Sequence, residues 1–172
     1  MLRKTIKNIA LLDLQNFTAE ALREIKKIES CAMLLIPKNA SDEWKNAYAK
    51  ITIRNVASII EVSYGKYSVL NGMVVLNDKN VSDDCLYIVN GIVILETVEK
   101  IPDLCVNGLL LKRKKSRYEM TRMNGRSVEV EDNVVIKPYP NTIEIDGDTV
   151  RSFDYNTLVA AGNTVDIVDD VT

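Results

Sequence analysis

Residues 87–115 read YIVNGIVILETVEKIPDLCVNGLLLKRKK. The triplet Val-Asn-Gly occurs twice, 17 residues apart, each time followed by an apolar run. An internal repeat changes the meaning of every other pattern in a chain, so the search widens from this pair. Asn opens a comparable segment at Asn55, Asn71, Asn90, Asn107, Asn124, Asn141 and Asn163, at intervals of 16, 19, 17, 17, 17 and 22. Two earlier segments join the series, NIALLDL from Asn8 and SCAMLLI from Ser30. Four places after each start stand Leu12, Leu34, Ile59, Val75, Ile94, Leu111, Val128, Ile145 and Ile167, all aliphatic. Two places after stand Ala10, Ala32, Ala57, Met73, Ile92, Leu109, Arg126, Ile143 and Val165, apolar in eight of nine cases. Alternate residues of a strand share a face. The columns therefore predict nine short strands with matching side chains turned inward.

An interval of about 17 residues is short for a helical crossover between parallel neighbours. It suits successive rungs of a coil whose strands stack about 4.8 Å apart. The expected fold is mainly β with two N-terminal helices: a single-domain, right-handed parallel β-solenoid of about nine rungs spanning residues 1–172. Residues 1–54 form helix-containing rungs and residues 55–172 short all-β rungs. The chain returns to one corner per turn. Gly follows Asn at Gly72, Gly91, Gly108 and Gly125, as a corner needing positive φ requires. Stacked Asn side chains at that corner can hydrogen-bond along the coil.

The early intervals, 22 and 25 residues, leave room for helices. FTAEALREIKKI offers Thr18 as N-cap and Leu22, Ile25 and Ile28 on one helical face. SDEWKNAYAKI offers Ser41 as cap, then Trp44, Ala47, Tyr48 and Ile51. This strand–helix alternation, with LDLQN at 12–16, resembles leucine-rich-repeat proteins, although the Asn falls a place early. The later 17-residue rungs resemble the all-β rolls of bactofilin-type scaffolds. Both resemblances concern architecture and imply a scaffold; neither carries functional residues across.

Composition narrows the chemistry. The chain has 172 residues, 47% of them hydrophobic, and a formal net charge of −2. That suffices for a sizeable core and gives no global attraction to nucleic acid or membrane. There is no histidine, which removes imidazole metal sites and histidine-based nucleophile systems. No Cys-x-x-Cys pair or glycine-rich phosphate loop occurs. Cys31, Cys85 and Cys105 are too few for a disulfide framework and read as free, buried and unreactive thiols of a cytoplasmic protein. Asp13 interrupts the apolar run of MLRKTIKNIALLDL, against a signal peptide. No segment approaches the ~18 apolar residues of a membrane span. No cofactor, metal or catalytic residue is expected.

Three surface features remain. On the column expected to face outward, Val74, Leu76, Val93, Leu95 and Leu110 would form an apolar patch, an interface unless another part of the chain covers it. Segment 99–126 holds eight basic and three acidic residues, whereas 127–172 holds two basic and ten acidic. The basic focus is Lys112, Arg113, Lys114, Lys115 and Arg117, which reads as a solvated turn or a contact for nucleic acid. Glu144, Asp146 and Asp148 alternate, and Asp169 and Asp170 follow near the end; they read as a solubilising face, a weak Ca²⁺ site or a glycoside-cleaving pair. Residues 1–7 and the helix-bearing rungs are expected to cap the first end of the coil. The functional expectation is a non-enzymatic scaffold that binds a protein, itself included as a homodimer, through the apolar outer face. The alternatives are a nucleic-acid-binding module using the turn at 112–117 and a carboxylate-based carbohydrate enzyme.

Overall fold

The computed structural model describes residues 4–63 and 65–168. Asp169, Asp170 and the first three of the expected capping residues lie outside them. The chain is mainly β, 58% strand and 10% helix, and all its sheets are parallel. It comprises two compact units, Met1–Lys66 and Tyr67–Thr172. No helix among the described residues is long and apolar enough to cross a membrane.

In the first unit the order is β1 (Lys4–Asp13), α1 (Ala19–Arg23), β2 (Ile25–Pro37), α2 (Asp42–Tyr48) and β3 (Thr52–Val62), with a parallel sheet β1-β2-β3. Both expected helices form behind the expected caps. The Thr18 hydroxyl accepts from the N–H of Ala21 and the Ser41 hydroxyl from that of Trp44, supplying partners to N–H groups the first turn leaves unpaired. The first helix is shorter than its apolar spacing predicts. Ile25 and Ile28 belong to β2, and both are buried. β-branched residues alternating with lysines favour the extended chain there. Leu14, Leu22, Ile28 and Leu34 form the centre of this core, with Trp44 at its edge. The Trp44 indole N–H, which burial obliges to find an acceptor, donates to the carbonyl of Phe17 at 3.0 Å.

The expected inward column at two places after each start fails here. Ala10, Ala32 and Ala57 are exposed, whereas Cys31 and Val56, one place after, join the core. The reason is the corner itself. Asn8, Ser30 and Asn55 adopt φ of 60°, 55° and 52°. A left-handed residue interrupts the two-residue alternation of an extended strand and re-aims the side chains beyond it.

The second unit runs β4 (Tyr67–Asn77), β5 (Leu86–Glu96), β6 (Asp103–Arg113), β7 (Glu119–Val130), β8 (Val135–Tyr139), β9 (Ile143–Ile145), α3 (Gly147–Arg151), β10 (Thr157–Ala161) and β11 (Val165–Ile167). Its main sheet is β4-β5-β6-β7. The register matches the repeat: Asn71 pairs with Asn90, Asn90 with Asn107 and Asn107 with Asn124, and the four glycines align one place on. β7 carries one extra residue, Thr121, since Leu104 pairs with Met120 and Cys105 with Arg122. This bulge is held by the buried carboxylate of Asp103, which accepts the Thr121 hydroxyl at 2.7 and 2.8 Å.

The ladder then breaks. β8 pairs with β10 and β9 with β11, in two separate two-stranded sheets. The helix α3, between β9 and β10, is not among the expected elements. Its sign was the 22-residue interval between Asn141 and Asn163, equal to the interval that houses α1. Asp146 caps it, accepting from the Thr149 N–H at 2.7 Å and hydroxyl at 2.6 Å.

In the two central strands of the main sheet, β5 and β6, both faces are largely buried. One carries Tyr87, Val89, Val93, Leu95, Leu104, Val106 and Leu110. The other carries Ile92, Ile94, Leu109 and Leu111, and these pack against Ile136, Leu158 and Ala160 of β8 and β10.

Candidate functional site

The apolar set expected on the outside lies in the core. Val93, Leu95 and Leu110 are 0% exposed and Leu76 3%, and Val74 is partly buried against them. No exposed apolar patch exists at these five positions. Apolar residues occupy both faces of β5 and β6, as happens in parallel sheets covered on both sides, so alternation does not say which face looks outward. The alternative of cover by the chain itself holds: Val81, Cys85 and Tyr118, from the loops flanking β5 and β6, pack with these residues, and β8 and β10 pack against the other column.

The basic turn is largely spent on its neighbours. Lys112 pairs with Glu129 at 2.9 Å, Lys114 with Glu131 at 3.8 Å and Lys115 with Asp132 at 3.7 Å. Arg113 reaches Glu96 at 3.5 Å and also donates to the carbonyls of Glu131 and Val134 at 2.8 and 2.6 Å. The Lys112 ammonium holds the Glu129 carboxyl below the usual range, and Glu129 in turn raises Lys112. Exposed pairs of this kind add little stability, but they cancel the positive potential of the run. Arg117 contributes its backbone, through bonds to Thr97 at 2.9 and 2.6 Å.

The acidic residues are similarly dispersed. Asp146 is the cap of α3, and the Thr149 hydroxyl and then its N–H lower its carboxyl pKa. Asp148 pairs with Arg151 within that helix, and Glu144 is exposed on β9. Among the described residues no group of three carboxylates or thiols converges to hold a metal ion.

The corner is the feature the sequence singles out and the geometry completes. The Asn90 carboxamide donates to that of Asn71 at 3.0 Å and Asn107 to Asn90 at 2.8 Å. Gly91, Gly108 and Gly125 have φ of 141°, 141° and 148°. A Cβ on any of them would lie 2.1, 2.0 or 1.8 Å from the carbonyl oxygen of the preceding corner glycine. Only glycine lets the rungs approach this closely.

Sequence reasoning missed the staples between loops. The Asp78 carboxylate accepts from the N–H groups of Lys100 at 2.9 Å, Glu99 at 3.1 Å and Val98 at 3.1 Å. These bonds, that of Lys100 first, hold its pKa below the ordinary aspartate value. Asp83 accepts from Ile101 at 2.5 Å, and the Lys100 ammonium donates to the Val81 carbonyl at 2.6 Å. One sequence signal was present: Asp78, Asp83 and Asp84 crowd the loop that lies about one repeat interval before residues 98–101.

Comparison with protein-family models, curated proteins and solved structures finds no match.

Proposed function

We propose that this chain is a non-enzymatic scaffold of the parallel β-solenoid kind, a coil of about nine rungs whose ladder is interrupted after β3 and after β7, that binds another protein. One observation supports this reading above others: polar side chains join one rung to the next. Asn90–Asn71, Asn107–Asn90, Lys112–Glu129, Thr121–Asp103, Lys100–Asp78 and Thr142–Thr164 each connect residues 17 to 22 apart. Side chains committed to holding a frame are not free to engage a substrate. Parallel crossovers favour a right-handed coil, and the buried thiols of Cys31 and Cys105 suit a reducing cytoplasm.

The recognising surface in this reading is the exposed strand β7 rather than the buried apolar set. Val128 on it is 44% exposed. A photo-reactive residue in place of Val128 should give covalent protein adducts of defined mass, and no shift in melting temperature should accompany addition of nucleic acid, oligosaccharides or Ca²⁺. Adducts confined to RNA or DNA, or a melting shift of several degrees with a sugar or Ca²⁺, would overturn the scaffold reading.

A further inference from the structure

Asn is followed by Gly at Asn71, Asn90, Asn107 and Asn124, the corners of the main sheet. Asparagine is chemically labile, and this pair has a reactivity of its own. The backbone nitrogen of the next residue lies close enough to attack the side-chain Cγ, and glycine has no side chain to obstruct the approach. What holds the reaction back in a fold is restraint: the carboxamide must leave its hydrogen bonds and the backbone must open locally.

The four corners are restrained unequally. The Asn90 carboxamide is held twice, donating to Asn71 at 3.0 Å and accepting from Asn107 at 2.8 Å. Asn71 and Asn107 each keep one of these two bonds. The column of bonds stops there, and among the described residues the Asn124 carboxamide has no hydrogen-bond partner. Asn124 and Gly125 are exposed, whereas Gly91 and Gly108 are partly buried between rungs. In this sheet β5 and β6 have a neighbouring strand on both sides and β7 on one. Every contact in this ordering lies within the second unit.

We propose that Asn124 is a site of spontaneous modification, converted to aspartate or isoaspartate ahead of the other three Asn-Gly corners. The Gly125 nitrogen loses its proton to base in the solvent and bonds to Cγ of Asn124. The Cγ–Nδ2 bond breaks, Nδ2 takes up a proton and leaves as ammonia, and a five-membered succinimide remains. Water then adds to one of the two carbonyl carbons of the ring. Opening the bond between Cγ and the Gly125 nitrogen gives aspartate; opening the bond from the Asn124 backbone carbonyl carbon gives isoaspartate. One water enters, one ammonia departs and nothing is oxidised. Either product sets a negative charge between the exposed Arg122 and Arg126. Isoaspartate also adds a carbon to the main chain just before Gly125, where even a Cβ would lie 1.8 Å from the Gly108 carbonyl oxygen. The change falls on the strand read above as the recognising surface but does not depend on that reading.

The experiment is incubation of the full chain at mildly alkaline pH, below its unfolding temperature, with digestion at intervals and mass spectrometry of each Asn-Gly peptide. Conversion is read as the mass gain of an amide turned to an acid, and isoaspartate by its separate elution. The same incubation in urea gives the rate of each site without the fold. With each native rate divided by its rate in urea, Asn124 should convert at least about tenfold faster than Asn90, whose carboxamide must first leave two hydrogen bonds. Asn90→Ala removes the partner of both neighbours. It should speed conversion at Asn71 and Asn107 by roughly threefold or more and leave Asn124 unchanged. A smaller lead of Asn124 over Asn90, or rates at Asn71 and Asn107 that do not rise in the variant, would overturn the proposal. So would a native Asn124 that stays an amide over a span that converts it in urea. If Asn90→Ala fails to fold by circular dichroism, the ranking in the wild type alone decides.

Discussion

Gly108→Ala isolates the corner geometry better than any other single change. Two costs arise. The backbone at Gly108 has φ of +141°, a region that side-chain-bearing residues enter at about 1–3 kcal/mol. The added methyl would also lie 2.0 Å from the Gly91 carbonyl oxygen and 2.9 Å from its carbon. Those are backbone atoms, so no side-chain rotation relieves the overlap; one rung must move against the next, at about 1–3 kcal/mol for an overpacked interior. The expected loss is thus roughly 2–6 kcal/mol. Gly72→Ala is the control, because φ is +82° but the new methyl meets nothing within 4 Å. It should cost about 1–2 kcal/mol. Far-ultraviolet circular dichroism in urea is the appropriate assay, since the single Trp44 lies in the first unit and does not report on the second. With a slope of about 1–3 kcal/mol per molar urea, a 4 kcal/mol loss moves the midpoint by roughly 2 M. Equal losses for the two variants would refute the argument that rung contact, rather than backbone conformation alone, demands glycine at this corner.

Ile94→Asp should unfold the second unit, because Ile94 is 1% exposed and the charge would have no partner, at a cost of about 5 kcal/mol or more; Glu144→Ala on the exposed side of β9 should change stability by about 0.5 kcal/mol or less, and comparable denaturation midpoints would show the face assignment to be wrong. Asp78 has its pKa lowered on folding, so its stabilisation is present above the unfolded value and lost as pH falls through the folded one. The stability gap between wild type and Asp78→Ala should therefore be full at pH 7 and shrink below about pH 4; a gap that is the same at pH 2 and pH 7 would count against the carboxylate staple. Burial raises the Cys105 thiol pKa, and Cys31 is buried as well, so a thiol reagent should label the half-buried Cys85 first, and faster labelling of Cys105 in the native protein would contradict its environment.

The corner column was legible in the sequence and the faces of its strands were not, for one physical reason. A corner imposes a local demand, positive φ or the absence of Cβ, that only Asn and Gly meet cheaply, so it leaves its mark residue by residue. Inside and outside are set by what else in the chain covers a face. In β5, Tyr87, Val89, Val93 and Leu95 belong to one apolar cluster and Ile92 and Ile94 to another, Leu86 and Ile88 are fully buried too, and of these eight only Ile92 is not buried. A strand apolar on both faces carries no internal label. The label was carried elsewhere, by Ile136, Leu158 and Ala160 on β8 and β10. In β8 only Val135, Ile136 and Tyr139 are apolar beside Lys137 and Pro138, too weak a pattern to announce a covering layer. The surfaces failed similarly. A run of five basic residues within 112–117 looks like a binding site until the acidic residues at 129–132 are recognised as its neighbours one rung later. That recognition was within reach, because Lys112 and Glu129 are separated by the repeat interval itself. In a stacked fold, charge is therefore better read at the spacing of the repeat than along the chain, and the same spacing links Asn90 to Asn107 and leaves Gly125 with no successor.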